Sequence, residues 1–496
     1  MMKKRLAALV AALLMMMSVS GALAMTVTGV DSESALRDWE TSLFFTRMEA
    51  LTGVSVTGSA QQDEKAYAAL IQNMLQGKVE NDALFKAELT RTQERALLDA
   101  GAIIDLAPLM EANMPNLTAL LAANPQWREI ITLEDGRIPS LPLINESERQ
   151  VCVWINRAWV DKLGLSMPTT PQELTDVLLA MKAGDPNGNY KQDEIAADMM
   201  GVWEMRWLLP YFGVAADDYN IARVDGEAVF APELPAYRAF IELLCAWKEQ
   251  GILTDDAFLN VHSSAQYEIE KEENPVAASG LMVSVSPYTH VPVTAMTEYE
   301  ALLMPAEDGQ TVWRDMLGQV WTGTFAVTSA CGDPAAMLRW ADALYSEEGV
   351  LLAYAGVEGE DYAFGENGYW MFKVDTARTV ENIRADVLMY TGSTMPGYVP
   401  NDFLAKVDSE PDRHVIEQSA RVSAVAQQVT APYALTDAQQ KRANELAAQI
   451  GALVDKGIAR FVTGETPLDD ASYGAWLEEL RAAGSAELAE IFNQTK

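Results

Sequence analysis

The amino-acid sequence predicts an α/β protein, and three features support that class. Short apolar segments alternate with helical segments along the chain, which is typical of α/β folds. The chain has 496 residues, 49% of them hydrophobic, so it can bury large cores. This length exceeds two average domains, yet no repeat or low-complexity linker interrupts it. We therefore expect domains joined by a thin crossover rather than by a tether.

Short apolar runs bounded by polar or turn-forming residues predict the strands. The clearest of these runs are "DALFKAEL" (82–89), "VCVWI" (151–155), "SGLMVSV" (279–285) and "TGTFAVT" (322–328).

Helix starts and ends are also marked in the sequence. Thr170 is a candidate N-cap, Pro171 occupies the first helical position and Glu173 completes a capping box. Gly184 is expected to end that helix.

A second well-marked helix is expected from Asp333 and Pro334 to Gly349. Its apolar stripe comprises Met337, Leu338, Ala341, Leu344 and Tyr345. The C-terminal third is predicted to be helical as well, with apolar side chains at helical spacing at Leu446, Ile450 and Leu453.

The charge balance argues against nucleic-acid binding. The chain has 36 Lys and Arg residues against 71 Asp and Glu residues, a net charge of −35. A surface this negative repels phosphate backbones but favours solubility and tolerates divalent cations.

The first 24 residues have the pattern of a secretory signal peptide. A positive "KKR" precedes an apolar core at residues 6–17 that is too short to span a bilayer. An A-x-A site at 22–24 predicts cleavage before Met25. The alternative is a buried N-terminal helix. No other apolar run approaches membrane length, so we expect a soluble exported protein.

The cysteines point to no metal site. Cys152, Cys245 and Cys331 are an odd number for an exported chain and lack metal-like spacing. We expect buried free thiols, with one disulfide as the open alternative.

No catalytic motif is apparent. The histidines, His262, His290 and His414, are isolated, and the carboxylates are too numerous to single out a general acid and base. The residues therefore single out no catalytic site.

Aromatic residues give the best candidates for ligand contacts. The segment "GVWEMRWLLPYFG" (201–213) contains Trp203, Trp207 and Tyr211, with charged residues between them. An aromatic face beside hydrogen-bonding groups suits a sugar ring. Trp321 directly precedes a predicted strand and is a further candidate. The alternative for each of these side chains is packing in a core.

The segment "DPNGNYKQDEIA" (185–196) resembles an EF-hand calcium loop. Its oxygen-bearing side chains fall at loop positions 1, 3, 5 and 9, namely Asp185, Asn187, Asn189 and Asp193. Lys191, at position 7, can offer its backbone carbonyl.

Two residues depart from that loop pattern. Tyr190 stands where a glycine normally makes the turn, and Ala196 cannot supply the final carboxylate. The alternative is a solvated Asn-Gly turn. All-oxygen ligands favour calcium over zinc or copper, and the loop follows a capped helix, so we predict a structural metal.

Several segments in order resemble the extracellular solute-binding proteins of ABC importers, in the branch that includes alginate- and other oligosaccharide-binding members. The resemblance covers nearly all of the expected mature chain. The segments are "GAIIDLAPLMEANMPNLTALL", "EDGRIPSLP", "VWINRAWVDKLGLSMPTTPQELTDVLLAMKAGDPNGNYKQDEI", "DPAAMLRWADALYSEEGVLLAYAGVEGEDY", "FVTGETPLDD" and "WLEELRAAG".

The resemblance implies a two-lobed periplasmic-binding-protein fold of the class II type, with crossing hinge strands. Lobe 1 would comprise residues 25–141 plus about 319–365, and lobe 2 residues 142–318 plus about 366–496. Polar Thr90 and Arg91, just after the first predicted strand, are candidate ligand contacts from lobe 1. The family resemblance also implies that Glu194 completes the calcium ligands.

The implied function is capture of a carbohydrate, with an oligosaccharide as the expected ligand, by a monomeric receptor that closes about its hinge and delivers the ligand to ABC permease subunits. No bond is broken in such a cycle, so the resemblance implies that the protein is not an enzyme. Many relatives carry a lipid-modified cysteine directly after the signal peptide, whereas "GALAM" has none. We therefore expect an unanchored protein, periplasmic or secreted. The alternatives are the same fold binding a peptide or another solute, and an exported glycan-active enzyme.

Overall fold

The computed structural model describes residues 24–31, 37–61, 63–146, 150–254, 256–258, 279–284, 286–287, 290–307, 309–315, 320–366, 368–400, 406, 409–427, 429 and 435–494. Residues 1–23 of the predicted signal peptide, and His262, lie outside these ranges. Within the ranges, no helix has both the length and the apolar character that crossing a membrane requires.

The strands are β1 (Met25–Val30), β2 (Val56–Gln61), β3 (Ala83–Phe85), β4 (Leu141–Asn145), β5 (Cys152–Asn156), β6 (Ile195–Asp198), β7 (Ile221–Val224), β8 (Glu227–Phe230), β9 (Ser279–Ser284), β10 (Tyr299–Ala301), β11 (Trp313–Arg314), β12 (Val320–Val327), β13 (Tyr362–Phe364), β14 (Trp370–Phe372), β15 (Gly397–Val399) and β16 (Ala426–Gln427).

The α-helices are α1 (Leu43–Thr52), α2 (Glu64–Leu75), α3 (Arg91–Asp99), α4 (Ala107–Asn113), α5 (Pro115–Ala123), α6 (Pro125–Ile131), α7 (Arg157–Lys162), α8 (Pro171–Gly184), α9 (Val202–Met205), α10 (Pro235–Glu249), α11 (Pro334–Asp342), α12 (Glu347–Tyr354), α13 (Val380–Asp386), α14 (Glu410–Ser423), α15 (Asp437–Val462), α16 (Asp470–Ala482) and α17 (Ser485–Asn493). Short 3-10 helices occur at Arg206–Phe212, Ala231–Glu233, Asp256–Phe258, Val293–Glu298 and Ala343–Tyr345.

Unit 1 comprises the described residues of Met1–Leu143, Thr322–Tyr362 and Phe372–Tyr398. Its six-stranded sheet has the order β15-β4-β12-β3-β1-β2. Strand β1 pairs in parallel with β2 and with β3, and β12 runs antiparallel to β3. Aromatic side chains from α1, β3 and α11 pack together in its core.

Unit 2 comprises the described residues of Ile144–Trp321, Ala363–Met371 and Val399–Lys496. Its four-stranded sheet has the order β10-β5-β9-β6. Strand β9 runs antiparallel to β5 and parallel to β6. Helix α15 packs on α10 and on the two C-terminal helices, and its apolar stripe includes buried Ile450.

The division differs from the expected lobes in one segment. Phe372–Tyr398 belongs to unit 1, whereas we expected it in lobe 2. The physical reason is local packing. Ile383, Val387 and Leu388 form a buried cluster, and the Met389 N–H donates to Ala353 O, a residue of α12, at 3.0 Å.

Two predicted elements are shorter in the structure. The strand expected at 82–89 ends at Phe85, because Lys86 and Glu88 adopt left-handed backbone conformations with φ of 53° and 43°. The helix expected up to Gly349 ends at Asp342, because Ser346 caps a new helix by accepting the Gly349 N–H at 3.2 Å.

The predicted helix after Thr170 forms as expected over Pro171–Gly184, with Thr170 accepting the Glu173 N–H. The Glu173 carboxylate accepts the Thr169 N–H at 2.8 Å. The predicted capping box therefore reaches one residue further back. All three cysteines are free, with Cys152 buried and the other two half-buried.

Candidate ligand-binding and metal sites

An exposed tryptophan follows the carboxyl end of one strand of the unit 2 sheet. Strand β6 ends at Asp198, and α9 begins shortly afterwards at Val202. In open α/β sheets, ligands bind beyond the carboxyl ends of the strands. Trp203 of α9 follows the carboxyl end of β6.

Trp203 and Trp321 differ from the other tryptophans in exposure. All 12 tryptophans lie in described ranges. Trp203 is 40% exposed and Trp321 is half-buried, whereas each of the others is buried. An indole that is left partly in water is available to stack on a ligand.

Trp207 and Tyr211 are core residues of unit 2. Trp207 packs 6.1 Å from the Trp313 ring, and the Arg314 guanidinium lies 4.6 Å above the Trp207 ring centre. The cavity beside Trp207 measures about 10 Å³, which is room for one water molecule. The Tyr211 hydroxyl donates to Leu302 O at 2.9 Å, and burial raises its pKa. This burial favours a supporting role behind Trp203.

Of the remaining candidates, Thr90 and Arg91 lie in unit 1, and Trp321 is the last residue of the first segment of unit 2. Trp321 is the half-buried second residue of β12, two residues before Gly323, whose φ is 75°. Thr90 is the N-cap of α3 in a complete capping box. Arg91 donates to Glu94 Oε2 at 3.2 Å and to Thr132 O at 2.8 Å. The Thr90 and Arg91 side chains therefore already hold α3 in place.

A buried ionic cluster lies beneath α9 in unit 2. His290, 2% exposed, places Nδ1 3.1 Å from Asp198 Oδ2 and Nε2 3.7 Å from Glu204 Oε1. Burial alone would lower the pKa of His290, but the bonds and charges of Asp198 and Glu204 raise it to about 9. Burial raises the pKa of Glu204. We call these three residues the His290 cluster.

A second buried cluster lies at the carboxyl ends of β1 and β3 in unit 1. Asp31 pairs with Lys86 Nζ at 2.8 Å and with Arg37 Nε at 3.0 Å. Lys86 also donates to Met389 O and Thr391 O, at 3.1 and 2.7 Å. We call Asp31, Arg37 and Lys86 the Asp31 cluster; it fastens the chain around residue 390 to the sheet edge.

The acidic loop closes on itself through hydrogen bonds. Asp185 accepts the N–H groups of Asn189 and Tyr190 at 3.0 and 3.1 Å. The Asn187 and Asn189 amides donate to the Asp193 carboxylate at 3.0 Å, and these bonds lower the pKa of Asp193. Among the described residues, no three acidic, His or Cys side chains converge as a metal site.

Two observations nevertheless suit a cation at this loop. Glu194 is 8% exposed, and neither of its carboxylate oxygens has a hydrogen-bond partner among the described residues. A buried carboxylate without partners is costly, and a bound cation would offset that cost. Tyr190 adopts φ 62° with its side chain 95% exposed. It thus supplies the left-handed turn for which a glycine is normally used.

Sequence reasoning missed both ionic clusters. His290 is isolated in the sequence, and its partners lie 92 and 86 positions away. One signal was present: Glu204 lies in an otherwise apolar run, where a buried carboxylate needs a partner.

The comparisons with known proteins agree with this architecture. No family model matches the chain. A curated relative is the fructooligosaccharide ABC transporter substrate-binding protein FusA of Streptococcus pneumoniae serotype 4, which is 31% identical over 237 residues. That match covers 45% of this chain and 43% of FusA, so it spans less than half of that relative.

Solved structures extend the likeness to almost the whole chain. FusA in complex with kestose has a TM-score of 0.75 at 20% identity, covering 95% of this chain and 98% of FusA. An HMO-binding, ABC-transporter-associated solute-binding protein from Bifidobacterium longum infantis ATCC 15697 has a TM-score of 0.79 at 19% identity, covering 96% and 98%. A FusA EF-hand mutant in complex with fructo-nystose has a TM-score of 0.75 at 20% identity, covering 95% and 98%.

The chain therefore has the two-lobed α/β fold of the substrate-binding proteins of ABC transporters. This finding confirms the predicted fold class and the resemblance seen in the sequence. The similar proteins named above are binding proteins, not enzymes.

Proposed function

We propose that this protein is the receptor of an ABC importer, periplasmic or secreted, and that it captures an oligosaccharide. The observation that carries the proposal is the exposed Trp203 indole beyond the carboxyl end of β6. The relation to FusA and the fold shared with an HMO-binding protein support a sugar as the ligand. Capture and delivery to permease subunits break no bond, and a monomer suffices for them.

The aromatic candidates divide into two roles under this proposal. Trp203 and Trp321 stack on sugar rings, because their indoles are not buried. Trp207 and Tyr211 support Trp203 from the core. Exposed Thr90 and partly exposed Arg91 supply polar contacts from unit 1.

Calorimetry with a glycan panel tests this function. A panel that includes kestose should yield at least one ligand, and no new sugar should appear on prolonged incubation. Trp203→Ala should lower the affinity for that ligand at least tenfold, or about 1.4 kcal/mol of binding free energy, while the melting temperature hardly changes.

Tyr190→Ala provides the matched control, because Tyr190 is an exposed aromatic side chain in the acidic loop, away from α9 in the sequence. Binding of peptides but no glycan, or unchanged affinity in Trp203→Ala, would contradict the proposal.

We further propose that the acidic loop holds a structural calcium ion. Asp185, Asn187, Asn189, Asp193 and Glu194 would hold it through side-chain oxygens, and Lys191 through its carbonyl. The unpartnered oxygens of buried Glu194 support this proposal, as does the existence of an EF-hand mutant of FusA. The bound ion would tie the end of α8 to the start of β6.

A chelator titration followed by thermal melting tests the calcium proposal. EDTA should lower the melting temperature, and calcium added in excess should restore it. Asp185→Ala should abolish this response, whereas Asp176→Ala, on the exposed face of α8, should keep it. If millimolar calcium left the melting temperature of the wild type unchanged, the calcium site would be ruled out.

A further inference from the structure

We propose that His290 is a positioning residue for ligand capture: it clamps Asp198 to Glu204 and so fixes the Trp203 ring at the carboxyl edge of β6. This inference rests on the proposed function, because it assigns a role to the support of the same aromatic side chain. It adds a residue that touches no ligand and acts through Glu204.

The clamp joins three separate parts of unit 2. Asp198 is the last residue of β6, Glu204 lies in α9, and His290 follows the carboxyl end of β9. His290 Nε2 also lies 3.3 Å from Val283 O of β9. The imidazole therefore bridges the ends of two neighbouring parallel strands and the helix that follows one of them.

Glu204 transmits the clamp to Trp203. The two residues are adjacent in α9, with Glu204 fully buried and Trp203 40% exposed. Glu204 Oε2 accepts the Met200 N–H at 2.5 Å, which closes the turn before the helix. Gly201 at the N-cap offers no side chain for capping. The Glu204 carboxylate therefore caps the start of α9. Its orientation in turn sets the direction of the Trp203 ring.

The charges around His290 favour its ionised form. The carboxylates of Asp198 and Glu204 face the imidazole. Tyr299 of β10 lies near Asp198: burial, then the charges of Glu298 and Asp198, raise the Tyr299 pKa. With its pKa raised to about 9, His290 carries its proton at pH 7. Loss of that proton would remove the only cation of the cluster and leave two buried carboxylates facing a neutral ring.

A weakened clamp reduces the fraction of molecules in which Trp203 is correctly placed. The apparent dissociation constant rises in inverse proportion to that fraction. Ligand affinity should therefore fall as the pH rises through about 9, while His290 loses its proton.

The experiment follows the indole N–H resonance of Trp203 in ligand-free full-length protein between pH 7 and 10. Trp203→Phe assigns the resonance. Its shift should titrate with a midpoint near 9 in the wild type and stay flat in His290→Gln. Glu204→Gln removes one of the two attracting charges, so the midpoint should move to lower pH; this variant serves if His290→Gln does not fold.

Calorimetry with kestose, or with the panel glycan that the wild type binds, supplies the second readout. His290→Gln should weaken binding at pH 7 about tenfold, the scale of a lost charged hydrogen bond. His414→Gln is the matched control, because His414 is a half-buried histidine of the same unit that contacts Tyr299 O instead of a carboxylate.

The outcomes separate the clamp from the proposed function. A Trp203 resonance that titrates alike in wild type and His290→Gln, or does not titrate, overturns the clamp. Equal losses of affinity in His290→Gln and His414→Gln overturn it as well. Titration as expected in a protein that binds no glycan supports the clamp and contradicts the oligosaccharide function alone.

Discussion

The two buried ionic clusters are built with opposite charge balance. In the Asp31 cluster one carboxylate lies between two cations. One oxygen accepts from Lys86 and the Ser393 N–H, and the other accepts from the Trp39 indole and pairs with Arg37 Nε at 3.0 Å. In the His290 cluster one cation lies between two carboxylates, and Glu204 Oε1 has no hydrogen-bond partner among the described residues.

Because of this difference, we expect the Asp31 cluster to hold its surroundings rigidly and the His290 cluster to be able to adjust. A buried cluster in which both oxygens of the carboxylate accept hydrogen bonds is rigid, because a displaced group would leave an unpaired charge. A cluster in which one carboxylate oxygen, Glu204 Oε1, accepts no hydrogen bond from the described residues can shift with pH or with ligand. The Asp31 cluster fastens the third segment of unit 1, whereas the His290 cluster lies under the proposed ligand contact.

The largest effect is expected for Asp31→Asn. The substitution keeps the shape but leaves Arg37 and Lys86 as buried cations without a counter-charge, which should cost about 3–5 kcal/mol of unfolding free energy. Urea denaturation followed by circular dichroism measures the loss. Glu40→Gln, an exposed neighbour, should change stability by less than about 0.5 kcal/mol. A loss of unfolding free energy below about 1 kcal/mol in Asp31→Asn would mean that the Asp31 cluster does not hold this part of unit 1 in place.

A smaller effect is expected from alkaline pH. His290 has a raised pKa, so its contribution to stability is complete below about 6.5 and is lost as the pH rises through about 9. Between pH 7 and 9.5 the wild type should lose about 1–3 kcal/mol relative to His290→Gln.

The Asp31 cluster should respond to pH with the opposite sign. Burial, and then the Arg37 charge, lower the Lys86 pKa to about 8. The unfolded chain therefore binds more protons between about 8 and 10.5, and stability rises with pH there. Denaturant midpoints of wild type and His290→Gln across this range isolate the histidine. If the denaturant midpoints of wild type and His290→Gln changed in parallel with pH, the sign assigned to the His290 contribution would be contradicted.

The smallest effect is expected for Glu204→Gln, the counterpart of Asp31→Asn in unit 2. The amide oxygen can still accept the Met200 N–H, and His290 keeps Asp198 as its counter-charge. The unfolding free energy should change by less than about 1 kcal/mol. A loss as large as that of Asp31→Asn, measured by the same denaturation, would erase the contrast between the clusters.

Much of the fold could be predicted because its signals are local. Thr170, Pro171 and Gly184 delimit α8 as expected, since capping and proline preferences act within one turn. The early end of β3 at Lys86 could not be predicted. The Lys86 side chain donates to carbonyl groups more than 300 positions away in the chain, at Met389 and Thr391.

The candidate site could likewise be predicted only in part from the sequence. Composition and context singled out Trp203 and Trp321, the two tryptophans that are not buried. They could not separate these from Trp207, which faces the core one turn further along the same segment. The support of Trp203 by His290 depends on a sheet that brings β6 and β9 together, which no local pattern reveals.

Calorimetry of the full-length protein against a glycan panel that includes kestose, with product analysis of the same samples, tests oligosaccharide capture most directly. We expect saturable binding of at least one glycan at one site per chain, a marked loss of affinity in Trp203→Ala, and recovery of the glycan intact. Cleavage of the glycan, or binding that Trp203→Ala leaves unchanged, would contradict the account.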